Sequence, residues 1–204
     1  WWEKHLWQRK ETPMFLSSAS LPRTTALYRD LFPEQVQEVE ARAKATCDGQ
    51  FLFLGVDVVL EDPIDWHRDP KSGHQWDPVF HRDIDFSFCR EGGGDAKYVW
   101  EFARQDYLID CALAFHLTGK KAYTQQIVQW VQSWIQANPY LAGIHWSSAL
   151  EVSVRSLNWL WTYQLCRHEN FLSPAEHLEW IKSFYQHGAY LHRHISYYFS
   201  PNNH

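Results

Sequence analysis

Residues 138–161 read N-P-Y-L-A-G-I-H-W-S-S-A-L-E-V-S-V-R-S-L-N-W-L-W, and this stretch decides the fold class. Pro139 and Gly143 interrupt the chain, as a turn or short loop requires. Ser147 and Ser148 are then placed to cap a long apolar helix, with Glu151 in its first turns where an acid suits the helix dipole. Leu150, Val154, Leu157 and Trp161 recur at spacings of three and four, which predicts one apolar stripe. Glu151 and Arg155 are four apart and share a helix face, where they read either as a surface ion pair or as groove-lining groups. Trp146, at the mouth of the helix, offers an aromatic plane on which a sugar ring stacks or which packs into a core.

Working outward, the same helical grammar continues on both sides. Ala122 to Ala137 carries Ile127, Val128, Val131, Trp134 and Ile135, and stops at Asn138-Pro139. Tyr98 to Leu117 carries Val99, Phe102, Leu108, Ile109 and Leu113, with Gly119 as its C-terminal cap. Ser173-Pro174-Ala175-Glu176 is a capping box that opens a helix reaching about His194. Pro33 to Ala45 reads as a polar helix with its acids ahead of its bases. One strand candidate appears, Phe51 to Leu60, interrupted by Gly55. Residues 1–32 lack clear periodicity and pass through a connector around Ser17 to Pro22. Helices in antiparallel-sized pairs predict an all-α architecture of helical hairpins arranged around an axis.

Composition bounds the rest. The 204 residues suffice for one substantial core. The 12 Trp, 10 Tyr and 12 Phe serve equally as core filling and as sugar-stacking surfaces. A net charge of −5 argues against a nucleic-acid or anionic-membrane binder. Ten acidic and four basic residues fall within 51–95, so the negative charge is local and a polyanion is still able to bind elsewhere. No membrane-spanning run is visible. Cys47, Cys89, Cys111 and Cys166 have no metal or disulfide spacing, and free thiols are the favoured reading. Asp65, His67, Asp69, His74 and Asp77 match no metal loop, so turn-forming aspartates are expected and no metal site. His145 reads as a structural histidine. Trp1 and His204 both look like cut ends, which predicts a piece of a longer chain.

Four pieces occur in order: F-L-F-L-G (51–55), G-D-A-K-Y-V-W-E-F-A-R (94–104), A-F-H-L-T-G-K-K-A-Y (114–123) running to W-I-Q-A-N-P (134–139), and G-I-H-W-S-S-A-L-E-V-S-V-R (143–155), before the chain closes on P-N-N-H (201–204). Over roughly residues 50–204 this set resembles the N-terminal helical domain of the heparinase II/III-like polysaccharide lyases, relatives of some alginate and oligoalginate lyases. The resemblance implies an incomplete (α/α) toroid followed by an antiparallel β-sandwich absent from these 204 residues. Residues 1–50 would form an extension and first helix, and 51–204 part of the toroid. It also implies that Asn203 and His204 face the uronate carboxylate at the cleavage subsite, while a catalytic Tyr and a further His come later. The reaction would be β-elimination on an acidic polysaccharide without a cofactor, in an intact parent that is periplasmic, secreted or cytoplasmic. Trp100, Trp146 and Tyr198 are the candidate groove aromatics, with Tyr197 beside the last of them. Glu101 with Arg104, and Glu151 with Arg155, line the groove or brace its helices. Two other readings stay open. One is an α/α-barrel glycoside hydrolase using Asp95, Glu101 or Glu151. The other is a non-catalytic carbohydrate-binding or polysaccharide-assembly protein.

Overall fold

The computed structural model describes residues 20–60 and 63–195, with His168 described in its backbone alone. Expectations placed on residues 1–19 and on Tyr197, Tyr198, Asn203 and His204 lie outside the described residues. The elements in chain order are α1 (Leu21–Leu31), α2 (Pro33–Cys47), β1 (Gln50–Phe53), β2 (Val56–Val59), α3 (Ser87–Arg90), α4 (Lys97–Ala103), α5 (Tyr107–Thr118), α6 (Ala122–Ala137), α7 (Ala149–Cys166) and α8 (Pro174–His194).

Helix α1 takes in Leu21 and Pro22 at the end of the expected connector, because Pro22 sits in the first turn, where its missing N–H costs nothing. Phe32 alone separates α1 from α2, and Pro33 opens α2 in the same way. The strand candidate is a hairpin pairing Phe53 with Val56 across Leu54-Gly55. Both turn residues have positive φ, 48° and 79°, as a two-residue hairpin loop demands. The helix expected over 98–117 is two helices. They are parted at Gln105, whose φ of 54° no continuous helix tolerates. The cap at Gly119, with φ 73°, and the Ser173–Glu176 capping box both form as the sequence implies.

Helix α5 lies at the centre, packed on α2, α6 and α7, while α7 packs on α8 and α6 reaches α8. Leu108, Cys111, Ala112 and Ala114 are fully buried on α5, and the small residues let α2 approach through Ala43. The hairpins α5/α6 and α7/α8 thus form an arc with α5 and α7 on one layer, an all-α incomplete (α/α) toroid. The β-hairpin caps it with Phe51, whose ring meets Tyr107 at 4.9 Å and Trp130 at 5.3 Å.

The long loop before α3 is nailed to this arc. Trp66 stacks on Phe102 at 4.5 Å and donates to Ser133 Oγ at 3.0 Å. Asp69 is buried as a turn former, accepting from the Lys71 and Ser72 amides and the Ser72 hydroxyl. Val79 O accepts from Gly143 N at 2.7 Å and Leu141 O accepts from His81 N at 2.9 Å, so the loop pairs with the turn before α7. Gly143 is required there. Its φ is 84°, and a Cβ would lie 2.5 Å from the His67 ring.

The apolar stripe expected to bury α7 faces out. Leu150 and Leu157 are exposed, and the buried face runs instead through Glu151, Val152, Arg155, Trp159 and Thr162.

Candidate functional site

Ser148, extended at φ −125° and ψ 122°, caps α7 by accepting from the Glu151 amide, while Ser147 donates to Ile144 O at 2.7 Å. The cap delivers Glu151 to the end of α4. There Arg104 makes a fork onto it, Nε to Oε2 at 2.7 Å and Nη2 to Oε1 at 3.0 Å. The same guanidinium donates through Nη1 to Glu101 Oε2 at 2.5 Å. Hydrogen bonding to Glu151 is the chief cause that raises the Arg104 pKa above its ordinary value. Asn158 Nδ2 donates to Arg104 O at 2.9 Å, and Trp159 Nε1 donates to the Gln105 amide oxygen at 2.5 Å, so the α4–α5 break is held against α7. Gln105 Nε2 is buried without a hydrogen-bond partner.

The expected Glu151–Arg155 pair does not form. Arg155 turns inward, donating through Nε to His187 Nε2 at 3.0 Å and through Nη2 to His145 O at 3.2 Å. Its guanidinium lies 4.1 Å from the Trp134 ring centre and 5.7 Å from that of Trp146. This is a buried cation held by π-faces and neutral acceptors. Burial lowers its pKa to about 9, which leaves it charged at neutral pH. His187 Nδ1 donates to Ser183 O at 2.8 Å, which fixes the neutral tautomer whose Nε2 accepts from Arg155. His145 donates from Nε2 to Trp66 O at 2.6 Å. Burial first, then Arg155, pushes both histidines well below their ordinary range.

Trp146 is 1% exposed and is a core residue rather than a sugar platform. Tyr140, His187 and Tyr190 pack around its ring at 5.2, 4.8 and 5.6 Å, and these contacts cover the faces a sugar would need. Trp100 keeps partial exposure, with Nε1 donating to Ile144 O at 3.0 Å. Through Trp146 the network reaches the end of α8, where a cluster stands that no local sequence pattern announced. His194 stacks on Tyr190 at 4.1 Å and donates to Tyr190 O, and His81 stands edge-on to His194 at 5.2 Å. Burial, then His194 and Arg82, lowers the His81 pKa. His81 comes from the Asp-rich loop and His194 from a helix terminus, so only the fold brings them together.

Across residues 24–204 the chain matches the family described as the heparinase II/III N-terminus. It belongs to the heparinase II/III family. No curated protein matches the chain. Two solved structures share the fold of this heparinase II/III domain, the heparan sulfate lyase HepC from Pedobacter heparinus, with a TM-score of 0.62, and a mutant of HepC, with 0.60. Each is 19% identical and aligns with 89% of this chain. The chain spans 28% of the length of each HepC chain.

Proposed function

We propose that this chain is the N-terminal toroid part of a polysaccharide lyase that cleaves a uronic-acid-containing polysaccharide by β-elimination. The observation that carries the reading is the family match over residues 24–204, on a fold shared with a heparan sulfate lyase. A heparan-type glycosaminoglycan is therefore the first polymer to test. Alginate and bacterial surface polysaccharides come after it.

The chemistry needs three things. Donors must neutralise the uronate carboxylate and hold the charge that develops as C5 loses its proton. A base must take that proton, and an acid must protonate the departing glycosidic oxygen. In this reading Asn203 and His204 supply the donors, and the base and acid come from other parts of the lyase. In sequence, helix α8 precedes that pair, and the Tyr190–His194–His81 cluster stands at the end of the helix. Of the two candidate aromatics among the described residues, Trp100 retains exposure for a sugar contact and Trp146 does not. Arg104 and the two glutamates bound to it carry a net negative charge, which suits a brace better than a subsite for an acidic sugar.

The same triad weighs against a glycoside hydrolase. That chemistry needs two carboxylates flanking a glycosidic bond, whereas Glu101 and Glu151 flank a guanidinium.

The test is the ultraviolet absorbance of unsaturated uronate product, measured on the full-length protein with heparan sulfate, alginate and a neutral glycan. Absorbance that appears with a uronate polymer and is lost in both Asn203→Ala and His204→Ala supports the assignment. New reducing ends without that absorbance would move it to hydrolysis. Binding without either product would leave a carbohydrate-binding protein.

A further inference from the structure

The second half of α8 is basic with nothing on the helix to balance it. From Lys182 to His194 it carries no Asp or Glu, and it ends on His192, Arg193 and His194, where a helix C-terminus favours cations. The loop before α3 brings His81 and Arg82 to the same place. The His81 ring stands edge-on to both Tyr190, at 5.4 Å, and His194, at 5.2 Å, while His194 stacks on Tyr190 at 4.1 Å. Polar groups of this cluster lack partners. His194 uses Nδ1 on Tyr190 O, which leaves Nε2 unbonded. The His81 ring and the Tyr190 hydroxyl make no hydrogen bond among the described residues, although these residues are only 6% and 2% exposed. Arg82 is exposed and makes no ion pair among them. Asp83 is the acid that acts on His81, against His194 and Arg82, and Tyr140 and Arg155 act on Tyr190 from the turn before α7 and from α7. Basic side chains therefore outnumber acids here, in a chain whose net charge is −5.

We propose that His81, Arg82, His194 and the Tyr190 hydroxyl form a subsite for one oxyanion of an acidic saccharide, a uronate carboxylate or a sulfate ester, held more tightly when the histidines are protonated. The saccharide class rests on the lyase reading, and the oxyanion rests on the cluster itself. Arg82 supplies a permanent charge. Burial holds the Tyr190 hydroxyl up at about 12, so it remains a donor. Neutral His194 presents a bare acceptor at Nε2, and protonation turns that atom into a charged donor. Burial, then the charges of His194 and Arg82, disfavours the charged form of His81. A bound oxyanion offsets both charges and draws the proton in. Affinity then rises as pH falls through the histidine range, because the complex holds more protons than the free protein.

Two measurements on the full-length protein test this. In the first, inorganic sulfate is titrated while histidine ring signals are followed by NMR, with His194 assigned through His194→Asn. Sulfate will raise the His194 pKa, and a His194 titration that sulfate leaves unmoved would overturn the subsite. The second is calorimetry in an Asn203→Ala background, where under the lyase reading no polymer is consumed. Heparan sulfate, the same polymer desulfated, and dextran are compared at about pH 5.5 and 7.5. The acidic ligand will bind about threefold or more tightly at the lower pH, with proton uptake read from buffer-dependent heats, and dextran will show neither. Binding that survives desulfation assigns the oxyanion to the carboxylate, and binding lost with the sulfates assigns it to the ester. Arg82→Gln, at an exposed position, will weaken binding about fivefold at both pH values and keep the pH dependence. His194→Asn keeps a donor for Tyr190 O and will at least halve that dependence. Binding unmoved by either substitution would overturn the subsite, and a sulfate shift without binding of any acidic polymer would leave an adventitious ion only. The lyase reading is judged separately, by unsaturated product from the unsubstituted protein.

Discussion

Arg104 is shared by two carboxylates of unequal exposure, and the inequality sets what each is worth. Glu151 is buried and loses its hydrogen-bonded cation if Arg104 is removed, so Arg104→Gln will cost about 2 kcal/mol in urea unfolding. Glu101 is more exposed, and Glu101→Gln will cost below about 1 kcal/mol. A double-mutant cycle between Arg104 and Glu151 will show coupling, whereas Glu151 and Arg155 make no ion pair to lose. The buried histidines give a pH signature. His145 and His187 have folded pKa values below the unfolded value of 6.5, so the unfolded state binds the extra protons. Their contribution is whole above that value and is lost as pH falls below it. Stability will decline by up to about 1.4 kcal/mol per pH unit for each histidine. His187→Gln keeps an acceptor for Arg155 and a donor for Ser183 O, and it will flatten the slope by one histidine's share. A slope unchanged in that variant would mean that His187 does not carry the effect. Little of this was legible in the sequence. Helical spacing placed Glu151 and Arg155 on one face, but their partners, Arg104 and His187, come from other helices that no local pattern names. Trp146 failed for the same reason, because its burial depends on Tyr140, His187 and Tyr190 closing around it.

At the scale of elements, local chemistry decides more. The hairpin turn forces Leu54 to φ 48°, a conformation unfavourable to leucine, while its side chain is exposed and packs little. Leu54→Asn will therefore raise stability by about 0.5–1 kcal/mol, read as a higher melting temperature, because asparagine accepts positive φ readily. No gain would mean that the turn's strain is absorbed elsewhere. Ser173→Ala removes one half of the reciprocal capping box and will cost about 1 kcal/mol, with faster amide exchange confined to the first turn of α8. Caps of this kind were readable because all their atoms lie within four residues of sequence. The ends of α6 and the caps at Gly119 and Ser173 were accordingly found where expected. Helix α1 and the break at Gln105 were not. Pro22 is compatible with both a connector and a helix start. Gln105 carries no signature of positive φ, and its conformation is held by the Trp159 indole arriving from α7.

On the scale of the whole molecule, the α7 stripe is the feature that sequence and structure share and dispose differently. Leu150, Val154, Leu157 and Trp161 have the periodicity of a buried face, yet Leu157 is 57% exposed. On α8, Leu178 and Tyr185 repeat the pattern seven residues apart, with Tyr185 77% exposed. Large apolar side chains left exposed on packed helices are what a covering surface would bury. In the lyase reading, their occupant is the remainder of the toroid, since this chain spans 28% of the HepC length. That assignment makes opposite predictions in two settings. In the 204-residue chain by itself, Leu157→Gln removes almost no packing, so unfolding stability will change by less than about 0.5 kcal/mol. Self-association in analytical ultracentrifugation will fall, because the apolar row is broken. In the full-length protein the same substitution inserts an amide into a covered interface and will cost about 2 kcal/mol, seen as a lower melting temperature. Equal and small effects in both settings would show that the row stays uncovered, and would leave it as a surface for a separate partner.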